Sequence, residues 1–155
     1  MADNKIKNII IFFSIAAICI ISDQLVKFFV NQNLAFNVHY SLINNLIGVN
    51  LTYNTGAGFS IFQNQTLLLS VVSAAVSGFI IWYIFAMKNL KPAYYIALGF
   101  ILGGAAGNLI DRLVYSYVID FLRLEFINFP VFNLADIFIN IGAIILIVQL
   151  FTYKK

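Results

Sequence analysis

Long apolar runs separated by short polar segments form the main pattern of hydrophobic and polar positions along this chain. A helix needs about 20 mostly apolar residues to cross a hydrocarbon core about 30 Å thick. Four runs reach that length, at about residues 8–29, 66–87, 92–110 and 133–152. The third begins with Pro92, which suits the first turn of a helix, and the fourth is long enough only if it includes Asp136. The pattern therefore predicts one domain, residues 1–155, with four transmembrane helices.

A second pattern, in which apolar and polar residues alternate, occurs in the two longer connections between these runs. Residues 48–54 alternate within the connection 31–65, and the second half of 118–125 alternates ahead of the fourth run. Alternation of this kind is typical of a β-strand with one buried face. The fold class we expect is an all-α membrane protein with four transmembrane helices and a small extracytoplasmic β platform, between helices one and two and near Asp120.

Charge is scarce in this sequence, and its scarcity excludes whole classes of protein. Apolar residues make up 62% of the chain and charged residues 10%, against about 45–50% and about 25% in soluble domains. A soluble globule could not cover its surface with so few charges, so the composition excludes a soluble enzyme, a nucleic-acid-binding domain and a disordered chain. The single cysteine and single histidine exclude an intrachain disulfide and a Cys- or His-rich metal site.

The distribution of charge orients the predicted helices. An even number of spans places both termini on one side of the membrane. The basic residues on that side are Lys5, Lys7, Lys88, Lys91, Lys154 and Lys155, against Lys27, Arg112 and Arg123 on the other. The positive-inside rule then predicts cytoplasmic termini. All acids except Asp3 lie at or beyond the outer ends of the helices: Asp23, Asp111, Asp120, Glu125 and Asp136. We therefore expect any active site at the extracytoplasmic face.

Ionisable side chains within membrane spans are costly and often functional, but several here have a structural interpretation. Asp23 and Lys27 are four residues apart and can pair along one helix face. Asn108, Asp111 and Arg112 share a helix face and are interpreted as a polar network. Glycines spaced by four residues precede them and predict close helix packing: Gly99, Gly103 and Gly107.

Asp120 and Asp136 differ, because neither has a basic partner at helix spacing. Arg123 would lie on the opposite strand face from Asp120, and Asp136 shares its helix face with Asn133 and Asn140. These features fit a catalytic carboxyl pair, proton or cation transport, or plain structural polarity. The residue pattern alone leaves all three open.

Other hydrolytic schemes have weaker support. His39 lies in a loop without a nearby carboxylate, Lys27 is the only lysine on the outer side for a serine–lysine dyad, and Cys19 lies mid-helix among apolar residues. Hydrolysis would therefore use water activated by two carboxylates. A proton-coupled four-helix transporter and a purely structural subunit remain alternative functions. A transporter needs polar residues near the bilayer midplane, whereas here the second span is uncharged and the acids cluster at one end.

Five motifs in this chain resemble those of a known family. They are DQLVK at 23–27, NTGAGFS at 54–60, GGAAGNLIDR at 103–112, VIDF at 118–121 and FPVFNLAD at 129–136. Each motif alone is a weak signal, but all of them in the family's order and at fitting spacing are specific. The chain resembles the bacterial lipoprotein signal peptidases (signal peptidase II), which are four-helix membrane aspartyl proteases.

The resemblance implies an activity, a substrate and a location. Asp120 and Asp136 would be the catalytic dyad, working without a metal or other cofactor. The substrate would be a prolipoprotein that carries diacylglyceryl on its lipobox cysteine, and the cut would fall just before that cysteine. The enzyme would be a multi-pass monomer of the bacterial cytoplasmic (inner) membrane, in contact with membrane lipids and without a nucleic-acid partner.

The resemblance also implies supporting roles for the remaining motif residues. Substrate-binding or dyad-orienting groups would come from Asn54, Gly56, Asn108 and Asn133. A polar support between the first and third helices would come from Asp23, Asp111 and Arg112. Lys27 is expected to lie near lipid phosphates or the substrate backbone.

Overall fold

The structure, a computed structural model, describes residues 2–56 and 62–152 of the chain. The elements in chain order are α1 (Ala2–Asn33), β1 (His39–Ile43), β2 (Ile47–Asn54), α2 (Thr66–Ala86), α3 (Pro92–Tyr115), β3 (Val118–Leu124) and α4 (Leu134–Thr152). Each of the four helices is long and apolar enough to cross a membrane. This confirms the four predicted spans and the small sheet beside them.

Two helices are longer than the sequence pattern indicated, and one strand was not predicted. α1 runs from Ala2 to Asn33, beyond both ends of the predicted 8–29, and α3 runs past Asp111 to Tyr115. Asp111 does not end α3, because it pairs with Lys27 inside the protein. Every residue of β1 is exposed, so this strand lacks the alternation by which a half-buried strand is recognised.

α3 is the central helix of the bundle and packs against the other three. A Cβ at Gly99 would lie 2.9 Å from the carbonyl oxygen of Phe12 in α1, and one at Gly104 would collide with the carbonyl oxygen of Ala135 in α4. Small residues let membrane helices approach this closely. The apolar core lies among α1, α2 and α3, at the end of the bundle away from the sheet: Phe12, Ala16, Ile80, Ile84, Tyr95, Leu98 and Leu102.

The strands form one antiparallel sheet in the order β1-β2-β3 at the other end of the bundle. Ser116 ends α3 in the left-handed conformation, with φ 66°, and the chain then turns into β3. The register pairs Thr52 of β2 with Asp120 of β3, and Asn54 with Val118. The sheet therefore places the Asn54 and Asp120 side chains close together.

Phe132, which lies just ahead of α4, is joined to β3 by backbone hydrogen bonds. The amides of Phe121 and Leu122 donate to its carbonyl oxygen at 3.0 and 2.7 Å, and its own amide donates to the carbonyl oxygen of Leu122 at 2.9 Å. This pairing holds the beginning of α4, and with it Asp136, next to the strand that carries Asp120.

Candidate active site

Asp120 lies on β3 and is 3% exposed. Both of its carboxyl oxygens accept a hydrogen bond from an asparagine side chain. The Asn54 amide of β2 donates to Oδ2 at 2.9 Å, and the Asn133 amide donates to Oδ1 at 2.7 Å. Amides thus take the place of the basic partner that the sequence did not supply.

Asp136 lies in the first turn of α4, in a reciprocal hydrogen-bond pair with Asn133. The backbone amide of Asp136 donates to Asn133 Oδ1 at 3.0 Å, and the backbone amide of Asn133 donates to Asp136 Oδ2 at 3.1 Å. This is the arrangement of a capping box, which satisfies two free amides at a helix N-terminus. Asn108 of α3 donates to the other carboxyl oxygen, Oδ1, at 2.9 Å. The position of this carboxyl is therefore fixed from two helices.

Asn133 connects the two aspartates, because its side-chain amide contacts Asp120 while its backbone amide contacts Asp136. Both carboxyls line a cavity of about 760 Å³. The other residues that line it are Thr52, Tyr53, Asn54, Thr55, Gln63, Asn108, Arg112, Val118, Leu124, Phe129, Pro130, Val131, Phe132, Ile139 and Asn140. The cavity therefore brings together the two aspartates that the sequence had singled out.

The pKa of Asp120 is raised to about 7, chiefly by burial and next by the nearby charge of Asp136. Hydrogen bonds from Asn54 and Asn133 act the other way, because they favour the ionised form. Asp136 lies across the site in the first turn of α4. Asp120 therefore keeps its proton to a higher pH than an ordinary aspartate does.

Lys27 is at the centre of a buried polar network beneath the aspartates. Its ammonium group lies 2.8 Å from Asp23 Oδ2, 2.8 Å from Asp111 Oδ2 and 3.0 Å from Asn108 Oδ1. The residue is 1% exposed, so the expectation that Lys27 lies near lipid phosphates or the substrate backbone is wrong. The predicted ion pair with Asp23 forms, and the same lysine also pairs with Asp111.

The two carboxylates of this network each hold the backbone just ahead of a candidate catalytic residue. Asp111 Oδ2 accepts from the amide of Ile119 at 3.1 Å, and Asp23 Oδ1 accepts from the amide of Ala135 at 3.0 Å. Ile119 precedes Asp120, and Ala135 precedes Asp136. The ion-paired network therefore holds the backbone one residue ahead of each of the two aspartates that line the cavity.

Arg112 lines the cavity and meets the Lys27 network at the backbone carbonyl oxygen of Asn108. One guanidinium nitrogen donates to the carbonyl oxygen of Gly56 at 3.2 Å and another to that of Asn108 at 3.5 Å. The amide of Gly56 in turn donates to Asn54 Oδ1 at 2.9 Å, which orients the Asn54 side chain toward Asp120. Residues 57–60 of the same motif lie outside the described residues.

Sequence reasoning missed some residues of this region. Gln63 lines the cavity, and Gln24 donates to Asp111 Oδ1 at 2.9 Å. The capping box was recognisable in the sequence, since Asn133 precedes an acidic residue by three positions at the beginning of an apolar run. Gln24 of α1 contacts α3, and Gln63 reaches the cavity from the connection ahead of α2, so no local sequence pattern predicts either position.

The fold and the site together define a multi-pass membrane protein with a pair of neighbouring carboxyls in a cavity at one end of its helix bundle. The sequence matches the family described as "Signal peptidase (SPase) II" over residues 15–152. The chain belongs to the signal peptidase II family. A lipoprotein signal peptidase of Microcystis aeruginosa is 40% identical over 145 residues, covering 93% of this chain and 94% of that protein. One from Streptococcus pneumoniae is 38% identical over 130 residues, covering 83% and 84%.

Solved structures agree with the fold. A structure described as a bacterial membrane enzyme, determined by the in meso method, superposes with a TM-score of 0.86 at 23% sequence identity. The match covers 93% of this chain and 89% of that one. A second structure with the same description gives a TM-score of 0.82. The four-helix arrangement with its small sheet is therefore shared with membrane enzymes.

Proposed function

We propose that this chain is an aspartic endopeptidase that removes the signal peptide from diacylglyceryl-modified prolipoproteins, cutting just before the lipidated cysteine. Membership of the signal peptidase II family supports the substrate class and the membrane location. The observation that carries the aspartic mechanism is the Asn133 bridge, which joins Asp120 and Asp136 within one cavity. Two carboxyls in such a position can share one proton and divide the roles of acid and base.

In the mechanism we propose, the ionised Asp136 is the base and the protonated Asp120 is the acid. Asp136 takes a proton from water as the water oxygen bonds to the scissile carbonyl carbon. Asp120 hydrogen-bonds the developing oxyanion and then gives its proton to the cysteine nitrogen as the carbon–nitrogen bond breaks. The signal peptide leaves with a new carboxyl group, and the lipidated cysteine keeps a free amine. The dyad ends with one proton, as it began.

The remaining motif residues position these two carboxyls. Asn54 and Asn133 direct the oxygens of Asp120, and Asn108 directs those of Asp136. The network of Asp23, Lys27 and Asp111 holds the backbone amides ahead of both aspartates, as described above. Arg112 fixes the Gly56 carbonyl and thereby the turn beside Asn54.

Cleavage of a diacylglyceryl-modified lipobox peptide by the purified protein tests this proposal. We expect Asp120→Asn and Asp136→Asn each to lower kcat by about 10²–10⁴-fold or more, the range that positioned acids and bases contribute. Glu125→Gln is the matched control, because it neutralises an acid that does not line the cavity and should keep normal turnover. Near-normal turnover of either aspartate variant would contradict the dyad, and proton-coupled solute uptake without cleavage would favour a transporter.

We further infer cytoplasmic termini and a cavity at the extracytoplasmic face. Lys88 and Lys91 lie between α2 and α3, at the end of the bundle away from the sheet. Lys5 of α1 lies at the same end, where its ammonium group donates to the carbonyl oxygen of Phe85 at 2.9 Å. The positive-inside rule assigns this end to the cytoplasm. Lys154 and Lys155, which add to this charge, lie outside the described residues, as does the side chain of Asp3.

Both carboxyls and all of their described partners come from one chain. Since a single chain supplies both carboxyls, we propose that the protein acts as a monomer.

A further inference from the structure

The cavity extends along α4 beyond the aspartates, and Asn140 is the residue that lines it farthest along this helix. Asn140 follows Asp136 by four positions, so it lies on the same helix face and about 6 Å further along the axis. Because α4 begins at the sheet end of the bundle, this displacement is toward the membrane interior. Asn140 is exposed, and its cavity-lining neighbour Ile139 is apolar.

Asn140 differs from the other two asparagines that line the cavity. Asn54 is hydrogen-bonded to Asp120 and Asn108 to Asp136. Within residues 2–56 and 62–152, the side-chain amide of Asn140 has no hydrogen-bond partner. A polar group in a membrane span is costly unless it is paired or functional. An amide with free donors on the wall of the cavity is therefore available to a bound molecule.

The proposed reaction decides which groups reach this point. When the scissile bond lies between the carboxyls, two parts of the substrate extend toward the membrane interior. One is the extended signal peptide, in which about 6 Å corresponds to about two residues. The other is the diacylglyceryl group, whose ester carbonyls lie a few bonds from the cysteine sulfur. Both present carbonyl oxygens, which accept hydrogen bonds.

We propose that Asn140 forms a carbonyl-binding position on the membrane-side wall of the cavity, where its Nδ2 donates a hydrogen bond to a carbonyl oxygen of the lipid-modified substrate. This inference rests on the proposed function. Since the bond forms about one helix turn from the dyad, it contributes to substrate binding and register rather than to the chemical step. It should therefore affect KM and leave kcat nearly unchanged.

The test compares two lipobox peptides, one with a diacyl (ester) glyceryl group and one with a dialkyl (ether) glyceryl group that lacks both lipid carbonyls. We expect Asn140→Leu to raise KM about three- to ten-fold with the ester peptide, the loss expected for one neutral hydrogen bond. Asn140→Ser, which keeps a donor, should recover part of this loss. Gln149→Leu is the matched control, because it makes a similar change on the same helix outside the cavity.

The outcomes separate the two sources of the carbonyl. An effect of Asn140→Leu on the ester peptide alone assigns the bond to the lipid ester, and an equal effect on both peptides assigns it to the signal-peptide backbone. An unchanged KM with both peptides, or a loss confined to kcat, would overturn the inference. Failure of the wild-type protein to cleave either peptide would instead overturn the proposed function.

Discussion

Asp120 shows how an isolated carboxyl can be tolerated at the edge of a membrane. Its partners are neutral amides from β2 and from the residue ahead of α4, which satisfy both oxygens without adding a counter-charge. Sequence analysis could identify Asp120 and Asp136 because neither had a basic neighbour at helix spacing. It could not identify Asn54 as a contact of Asp120, because the register between β2 and β3 brings them together across 66 positions of the chain.

The raised pKa of Asp120 predicts the pH dependence of cleavage. The carboxyl is protonated below about pH 7 and ionised above it. Since the proposed acid must hold its proton, kcat/KM should fall as the pH rises through about 7. Steady-state cleavage of the lipidated peptide from pH 5 to pH 9 measures this. A profile that stays level up to pH 9 would exclude Asp120 as the acid.

Removal of the neighbouring charge should lower the pKa of Asp120. In Asp136→Asn the repulsion between the carboxyls is lost, but burial, the larger cause, remains. The pKa should therefore move down from about 7 and yet stay above the ordinary value of about 4. Infrared titration of the carboxyl C=O band, with Asp120→Asn to assign it, follows this shift. An unchanged midpoint would show that the two carboxyls do not interact.

At the scale of the elements, α1 and α3 are held together by the ion-paired network around Lys27 rather than by apolar contacts alone. The lengths of the apolar runs were enough to predict the helices, and the spacing of Asp23 and Lys27 was enough to predict their pair. The third member, Asp111, joins from another helix. Its contact depends on how α1 packs against α3, which residue spacing within one helix does not describe.

Lys27→Met should destabilise the protein by about 3–5 kcal/mol, because it leaves two buried carboxylates without a counter-charge. Thermal unfolding in detergent measures the loss, and Lys88→Met is the control at an exposed lysine. Adding Asp23→Asn and Asp111→Asn to Lys27→Met should restore part of the stability, since no unbalanced charge then remains. A combined variant that is less stable than Lys27→Met would argue against a charge-balance role.

Gly107→Ala should reduce both stability and cleavage. A Cβ there would lie 2.6 Å from Asp23 Oδ2 and 3.4 Å from Ala135 Cβ, so it would displace the carboxylate that holds the backbone ahead of Asp136. Gly78→Ala in α2 is the matched control, because its added methyl group meets nothing within 4 Å. It should be neutral or stabilise the helix by about 0.5–1 kcal/mol. Equal behaviour of the two variants would contradict this account.

At the scale of the whole molecule, one end holds the apolar core, and the other holds the sheet, the cavity and the acidic residues Asp23, Asp111, Asp120, Glu125 and Asp136. The sequence predicted this difference between the two ends, because so few residues are charged that most of the acids could be assigned to one end. The exposed β1 strand was not predictable, since its residues contact the rest of the protein mainly through β2.

The membrane orientation can be tested with single-cysteine variants, because Cys19 is the only cysteine and is buried. In a Cys19→Ala background, Asn44→Cys in the turn between β1 and β2 should react with a membrane-impermeant maleimide in intact cells. Lys88→Cys between α2 and α3 should react only after the membrane is opened. The reverse pattern would place the cavity on the cytoplasmic side.

The backbone pairing of Phe132 with β3 has a mechanical consequence. A lipid-modified peptide is bulky, so the walls of the cavity have to yield when it is admitted. The strand that carries Asp120 and the first turn that carries Asp136 are joined by three backbone hydrogen bonds, and we expect them to move as one rigid body. We therefore expect the spacing between the two carboxyls to stay constant when precursors of different shape bind.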